Sequence, residues 1–211
     1  MRSALQKARE APSSTKARIL SAAEQVFASK GFEGASTREI AAQAGVNISS
    51  LHYHWESKET LYFAVFQNIY DRIVELVRTS IPAHIADPAA SRTVVDTAMG
   101  RLFDFFADNP NIPKLMVRRL LESDASQVEI ERDILIPSWK VFASLHNEMA
   151  GRKMKDADSQ LFMLTIYSVL LIFLLDSRQY TSLLGGSVRT PELRKRVRSY
   201  LINLVKTLAL R

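Results

Sequence analysis

Residues 36–58 read STREIAAQAGVNISSLHYHWESK, and the rest of the chain is organised around them. Ser36 and Glu39 have the spacing of a capping box. In that arrangement the Ser hydroxyl and the Glu carboxylate each satisfy a backbone N–H that the first turn of a helix leaves without a partner. Ile40, Ala41 and Ala44 then recur at helical spacing. Gly45 supplies the left-handed residue that closes a helix of about two turns. Val46 is a turn residue expected to be buried, and Asn47 is a good N-cap for a second helix from Ile48 to about His54. Two short helices in this order are the grammar of a helix-turn-helix. In that motif the second helix enters the DNA major groove while the first crosses the backbone.

A helical wheel sorts the second helix. Leu51 and Trp55 fall on one side with Ile48 near their edge, and the opposite arc carries Ser49, Ser50, Tyr53 and His54. Small residues allow close approach to the bases, and hydroxyl, phenol and imidazole groups can bond base edges or phosphates. Ser57 then caps a long helix whose first turn holds Lys58. A helix N-terminus with a lysine beside it attracts phosphate through both dipole and charge, although a solvated lysine would look the same in sequence.

From about Thr15 to Phe66 the chain resembles the DNA-binding domain of the TetR family of transcriptional regulators. The resemblance rests on FASKGFEGAST (27–37), REIAAQAGV (38–46), the recognition helix and SKETLYFAVF (57–66), in that order. Three positions depart from the usual pattern. His52 stands where the family usually has Tyr, Trp55 where it usually has Phe, and Ile48 where relatives often place a polar base-reading residue. The resemblance implies an all-α, Ω-like homodimer, with an N-terminal three-helix helix-turn-helix domain and a C-terminal helical ligand-binding and dimerisation domain. It implies sequence-specific control of transcription from a double-stranded DNA operator, usually repression relieved by a small-molecule effector, with no enzymatic activity. The DNA contacts expected on this basis are Thr37, Ser49, Ser50, His52, Tyr53, His54 and Lys58, with Thr37 and Lys58 on phosphate.

Outward from the motif, 211 residues suffice for one large or two small domains with a proper core. The absence of cysteine excludes a disulfide framework and thiolate metal sites, and suits a reducing cytoplasm. The leader lacks an apolar signal core, so export is not expected. Net charge is +6, but residues 1–60 carry 8 Lys or Arg against 6 Asp or Glu, and residues 189–211 carry 7 against 1. Net charge alone would therefore not mark the motif-bearing end as a DNA binder. Residues 1–13 read as a flexible arm, 14–60 as the DNA-binding domain and 61–211 as the regulatory domain.

Ile19, Leu20, Ala23, Val26 and Phe27 form the stripe of a supporting helix that Gly31 closes. Helices are expected over about 58–79 and 89–107, with a break at Pro82 and Asp87-Pro88 and another at Asn109-Pro110. A capping box at Ser126 and Glu129 opens a helix that Pro137 should kink or restart. The run from Leu161 to Leu175 is apolar nearly all round. Fifteen helical residues span about 22 Å, short of a bilayer core of about 30 Å, so burial against a second subunit is expected rather than a membrane span. Thr190, Pro191 and Glu192 open the last helix, where Arg194, Lys195, Arg196 and Arg198 read as a solvated face, with an acidic partner as the alternative. Leu170, Leu174, Leu201, Leu204 and Leu208 are the expected dimer contacts. An effector cavity would lie among Phe103, Phe106, Met116, Leu120, Trp139, Phe142 and Phe162, although such an aromatic and Met set serves equally as plain core.

Other chemistry finds little support. His52 and His54 point about 200° apart on a helix and cannot chelate one ion, while His84 and His146 have no ligand partner at i,i+4 spacing. No metal or cofactor is expected. Phosphate loops, nucleophile elbows and paired-carboxylate motifs are missing from the sequence. An unrecognised enzyme or an all-α protein-interaction module are the alternatives, and the second leaves the SSLHYH face without a purpose.

Overall fold

A computed structural model describes residues 4–81, 88–121, 129–150, 156–175 and 178–209. Every regular element among them is helical: α1 (Ala4–Glu10), α2 (Thr15–Gly34), α3 (Thr37–Gln43), α4 (Ile48–His54), α5 (Lys58–Arg78), α6 (Pro88–Asp108), α7 (Asn111–Leu121), a π-helical turn (Glu131–Leu135), α8 (Ile136–Ala150), α9 (Asp156–Leu174), α10 (Arg178–Leu184) and α11 (Pro191–Ala209). The chain divides into two compact units, one of residues 1–70 with 114–135 and the other of residues 71–113 with 136–211. The first unit is therefore not a continuous segment. Leu115 and Met116 of α7 are fully buried, which places the later part of that helix in the first unit's core.

In the first unit, α2 supplies Ile19, Ala23, Val26 and Phe27 to a core completed by Ile40, Leu51, Trp55, Leu61, Tyr62 and Phe66. Phe27 and Tyr62 meet edge to face at 4.8 Å, and Phe32 stacks beside Phe27 and stands tilted to Tyr62. Gly31 adopts φ 75° inside α2, so the helix breaks where the glycine stands and resumes for a short last turn. The segment expected to be a flexible arm instead contains α1, which packs on α2 with Ala8 buried. Arg9 holds it there by donating to Asn68 Oδ1 at 2.9 Å and to the Gln67 carbonyl at 3.3 Å on α5.

In the second unit, α6 packs most extensively on α11, and α9 on α8. Asp96, Asp104 and Asp108 recur along α6, and α11 answers with Lys206, Arg198 and Arg194 in antiparallel order. Arg194 bonds both oxygens of Asp108, at 2.5 and 3.1 Å, and Oδ1 of Asp104 at 2.9 Å. The basic cluster at the start of α11 is thus not one solvated face: Arg194 and Arg198 meet the chain's own carboxylates, while Lys195 and Arg196 stay exposed. Gly100 makes room for this ladder, since a Cβ there would overlap Nη2 of Arg198 and stand 2.8 Å from its Cζ.

The π-helical turn ends two residues before Pro137, so the widened turn absorbs the proline's missing N–H and its clash with the preceding turn. α9 begins at Asp156, five residues earlier than the apolar run suggests, and its 19 residues reach about 28 Å. By length and composition, residues 157–174 could cross a membrane. In this fold the helix packs against α8, α6 and α11. α10 has no counterpart in the sequence reading; Gly185, at φ 77°, stands directly after it. Pro82, Asp87 and Ser126 lie outside the described residues, as does His84, and the side chain of His146 is also outside them.

Candidate nucleic-acid interface

Local hydrogen bonds set α3 and α4. Ser36 Oγ accepts from the Glu39 N–H at 3.2 Å, and Asn47 Oδ1 accepts from the Ser50 N–H at 2.7 Å. The capping box at Ser36 is only half formed. Glu39 turns its carboxylate away to Lys30 Nζ at 2.8 Å, an ion pair that ties α3 to the end of α2. Between the helices Gly45 takes φ 65°, and the N–H groups of Gly45 and Val46 close onto the carbonyls of Ala42 and Ala41. α4 is anchored from below by Leu51 and Trp55, which are 0% and 2% exposed. The Trp55 indole N–H is buried and has no hydrogen-bond partner among the described residues. Such a group costs about 1–3 kcal/mol.

The outward face of α4 is then Ser49, His52 and Tyr53, all exposed, with Ile48 and Ser50 half-buried beside them. Tyr53 is 85% exposed, so its phenol is free to meet a ligand, and nothing in the core requires it. His54 does not join this face as the wheel expects. It is half-buried with Nδ1 inaccessible, and its ring stands edge-on to Tyr53 at 5.0 Å. Burial first, and the charge of Lys16 second, hold its pKa below the ordinary histidine value. Thr37 is half-buried in the first turn of α3, and Arg38 beside it is exposed.

Lys58 also departs from expectation. Its ammonium donates to the carbonyls of Phe32 at 3.0 Å and Ala35 at 3.3 Å, and stands 4.2 Å from the centroid of the Phe32 ring. It caps the end of α2 from the start of α5. Two of its three donors serve the fold, which leaves it poorly placed as a freely reaching phosphate clamp. α5 itself begins as expected, with Ser57 Oγ accepting from the Thr60 N–H at 3.1 Å.

The profile described as bacterial regulatory proteins of the tetR family matches residues 19–65, which covers the helix-turn-helix with its supporting helix and the start of α5. Residues 19–65 form a DNA-binding domain of the TetR type. Among its relatives, the transcriptional dual regulator CecR of Shigella flexneri is 32% identical over 131 residues, which is 58% of either chain. The transcriptional activator FasR of Mycolicibacterium smegmatis is 36% identical over 87 residues, covering 41% of this chain and 38% of FasR. The chain thus spans about half the length, or less, of these two relatives. A TetR-family regulatory protein from Rhodococcus RHA1 shares the fold along nearly its whole length, with a TM-score of 0.67 at 21% identity over 94% of this chain and 98% of that one. These relatives are transcription regulators, and TetR-family proteins of this kind are not enzymes.

The other expected sites lie apart from α4. Phe103 and Phe106 on α6 and Phe142 on α8 are buried in the second unit, with Trp139 and Phe162 half-buried there. Met116 and Leu120 belong to the first unit, where Met116 is core and Leu120 is 57% exposed. The seven are divided between the two units. Of the expected dimer contacts, Leu174 is 1% exposed and belongs to the protomer's own core. Leu170 and Leu201 are buried too, and form the floor of an apolar groove between α6, α9 and α11 that Leu204 and Leu208 border. The exposed apolar residues on α9 are Leu161, Leu164 and Ile172. Sequence periodicity could not separate them from their buried neighbours, because the helix is apolar all round.

Proposed function

We propose that this chain is a dimeric, sequence-specific DNA-binding regulator of transcription that inserts α4 into the major groove. The observation that carries the reading is the face of Ser49, His52 and Tyr53, held outward on a capped helix whose other side is locked by Leu51 and Trp55. A protein-interaction module would not need that helix at the second position of a helix-turn-helix. The TetR-type domain supports DNA as the partner, and action on DNA in a bacterial cell means the cytoplasm. Selecting duplexes from a random pool with the full-length protein tests this directly: an enriched near-palindrome is expected, and recovery of no common sequence refutes it.

The palindrome follows from a two-fold dimer, whose recognition helices address major grooves about 34–36 Å apart. The groove between α6, α9 and α11, with exposed Leu161, Leu164 and Ile172, supports α9 and α11 as the interface. Replacing Leu204 and Leu208 with Asp should yield monomers or aggregates that hold DNA weakly. A native dimer mass for that variant by light scattering would move the interface elsewhere.

Repression relieved by a small-molecule effector in the second unit is the regulatory mode we assign, as is usual in the family. The relatives include an activator, a dual regulator and a repressor. α5 is the candidate link: it is one unbroken helix that begins after α4, and it ends with Ile73 and Val77 buried in the second unit. An effector acts only by binding the DNA-competent and incompetent forms unequally.

A further inference from the structure

Electrostatics supplies much of the affinity of any protein for duplex DNA, through Lys and Arg that displace counterions from phosphates. In the first unit the fold engages several of the cations near the motif, whereas Arg38 in the first turn of α3 is exposed. Lys58 caps α2, Lys30 pairs with Glu39, Arg9 holds α1 to α5, and Arg118 Nη2 donates to the Ser29 carbonyl at 2.9 Å. Two cations on the first turns of α2 are placed differently. Arg18 is exposed, and its Nη1 lies 3.9 Å from where a Cβ at Gly45 would stand, beside the turn that leads into α4. Lys16 is half-buried in the first turn of the same helix, which packs on α4, and its charge acts on the His54 imidazole at the other end of α4. Neither has a carboxylate partner among the described residues.

Two residues apart on a helix, their side chains leave α2 about 200° from one another. They therefore straddle the helix, one reaching toward each end of α4. α4 has seven residues and is about 10 Å long, comparable with the roughly 12 Å width of a major groove. With α4 laid across that groove, cations at its two ends would meet the phosphates that border it.

We propose that Arg18 and Lys16 are phosphate-contacting cations of the recognition unit, taking the role that the position of Lys58 suggests in sequence. The inference rests on the DNA-binding reading above and adds residues to it. Both side chains hold phosphodiester oxygens of the duplex that α4 reads. They position α4 without reading bases, so they act alike on every sequence.

The test uses the full-length protein and two 30-base-pair duplexes, one selected from a random pool by the wild type and one of mixed sequence. Fluorescence anisotropy gives the slope of log Kd against log salt from 50 to 200 mM. Arg18→Gln and Lys16→Gln should each lower the slope by about 1.8, from one phosphate per protomer at about 0.9 each. Over that range the wild type then loses about 12-fold more affinity than either variant. The change should be the same on both duplexes. Arg18→Lys, which keeps the charge, should keep the wild-type slope. Unchanged slopes in both Gln variants overturn the inference while leaving the DNA-binding reading intact. An Arg18→Lys slope as low as that of Arg18→Gln overturns it as well, since charge would not be what matters. A wild type that binds neither duplex at 50 mM salt removes the DNA-binding reading itself, and the inference falls with it.

Discussion

Lys58→Met separates a structural lysine from a DNA-contacting one. The substitution keeps most of the apolar stem and removes the ammonium, and with it the bonds to the Phe32 and Ala35 carbonyls and the contact over the Phe32 ring. A hydrogen bond from a charged donor contributes about 1.5–3 kcal/mol net, and an exposed cation–π contact about 0.5–1 kcal/mol. Several features reduce the sum. The Ala35 bond is long at 3.3 Å, the Phe32 carbonyl also receives the Ala35 N–H, and water can reach a half-buried site. A loss of about 1.5–3 kcal/mol from the first unit is the expected outcome. With a urea m-value of about 1.5 kcal/mol/M for a unit of this size, the midpoint falls by about 1–2 M. The chain has two tryptophans, so a Trp139→Phe background leaves Trp55, in the core of the first unit, as the fluorescence reporter. The salt slope for DNA should stay near the wild-type value wherever the variant is folded. A midpoint unchanged within about 0.2 M together with a lower salt slope would refute the capping role and return Lys58 to the phosphate backbone.

Tyr53→Ala should leave the urea midpoint unchanged, because the side chain is 85% exposed, and should weaken binding unevenly across operator variants by about 1–3 kcal/mol; uniform weakening would show that Tyr53 reads no base. Gly100→Ala should be nearly neutral in the wild type, since the gain of about 1 kcal/mol in helix propensity is offset by displacing Arg198 from Asp104, whereas in an Arg198→Ala background the full gain should appear. Equal effects in the two backgrounds would mean that Arg198 does not occupy that space. The Asp108 carboxyl is held below its ordinary pKa chiefly by the hydrogen bond from Arg194, with burial opposing and the guanidinium charge assisting. Its folded value is depressed, so the stabilisation is present above the unfolded pKa of about 3.9 and is lost as pH falls through the lower folded value. Arg194→Ala should therefore be less stable at pH 6 and should lose less further stability between pH 4 and pH 2.5 than the wild type, as read by urea midpoints; parallel losses would exclude the linkage.

The features legible in sequence are those whose hydrogen bonds close within three or four residues. Ser36, Asn47 and Ser57 cap the helices they were expected to cap because a side-chain oxygen reaches an amide three residues on, whatever the surrounding fold. Gly45 ends α3 because only its own backbone has to turn. Leu51 and Trp55 are buried because an i,i+4 pair shares a face. Long side chains were not legible, since a Lys or Arg has several rotatable bonds and its partner is set by tertiary packing. Lys58 reaches 26 residues back to Phe32, Arg9 reaches 59 residues forward to Asn68, and Arg194 reaches 86 residues back to Asp108. α1 is not legible for the same reason, because the bond from Arg9 to Asn68 of α5 and a single buried Ala8 hold a short polar helix that would not persist alone.

That division bears on how such a protein meets DNA. The short-range bonds fix α3, the turn and α4, and those residues also carry the family pattern. The charges around them answer to the wider fold: Glu39 goes to Lys30 rather than back to its own cap, and Lys58 goes to the end of α2. A cation claimed in this way contributes to holding the unit together and less to holding phosphate. Backbone contact can therefore pass to neighbours such as Lys16 and Arg18 while the motif stays unchanged. The outward face of α4 that we propose reads bases is under no such constraint, because Ser49, His52 and Tyr53 are exposed and bury little of the core. They can change with the operator at little cost to the fold, whereas Leu51 and Trp55 cannot.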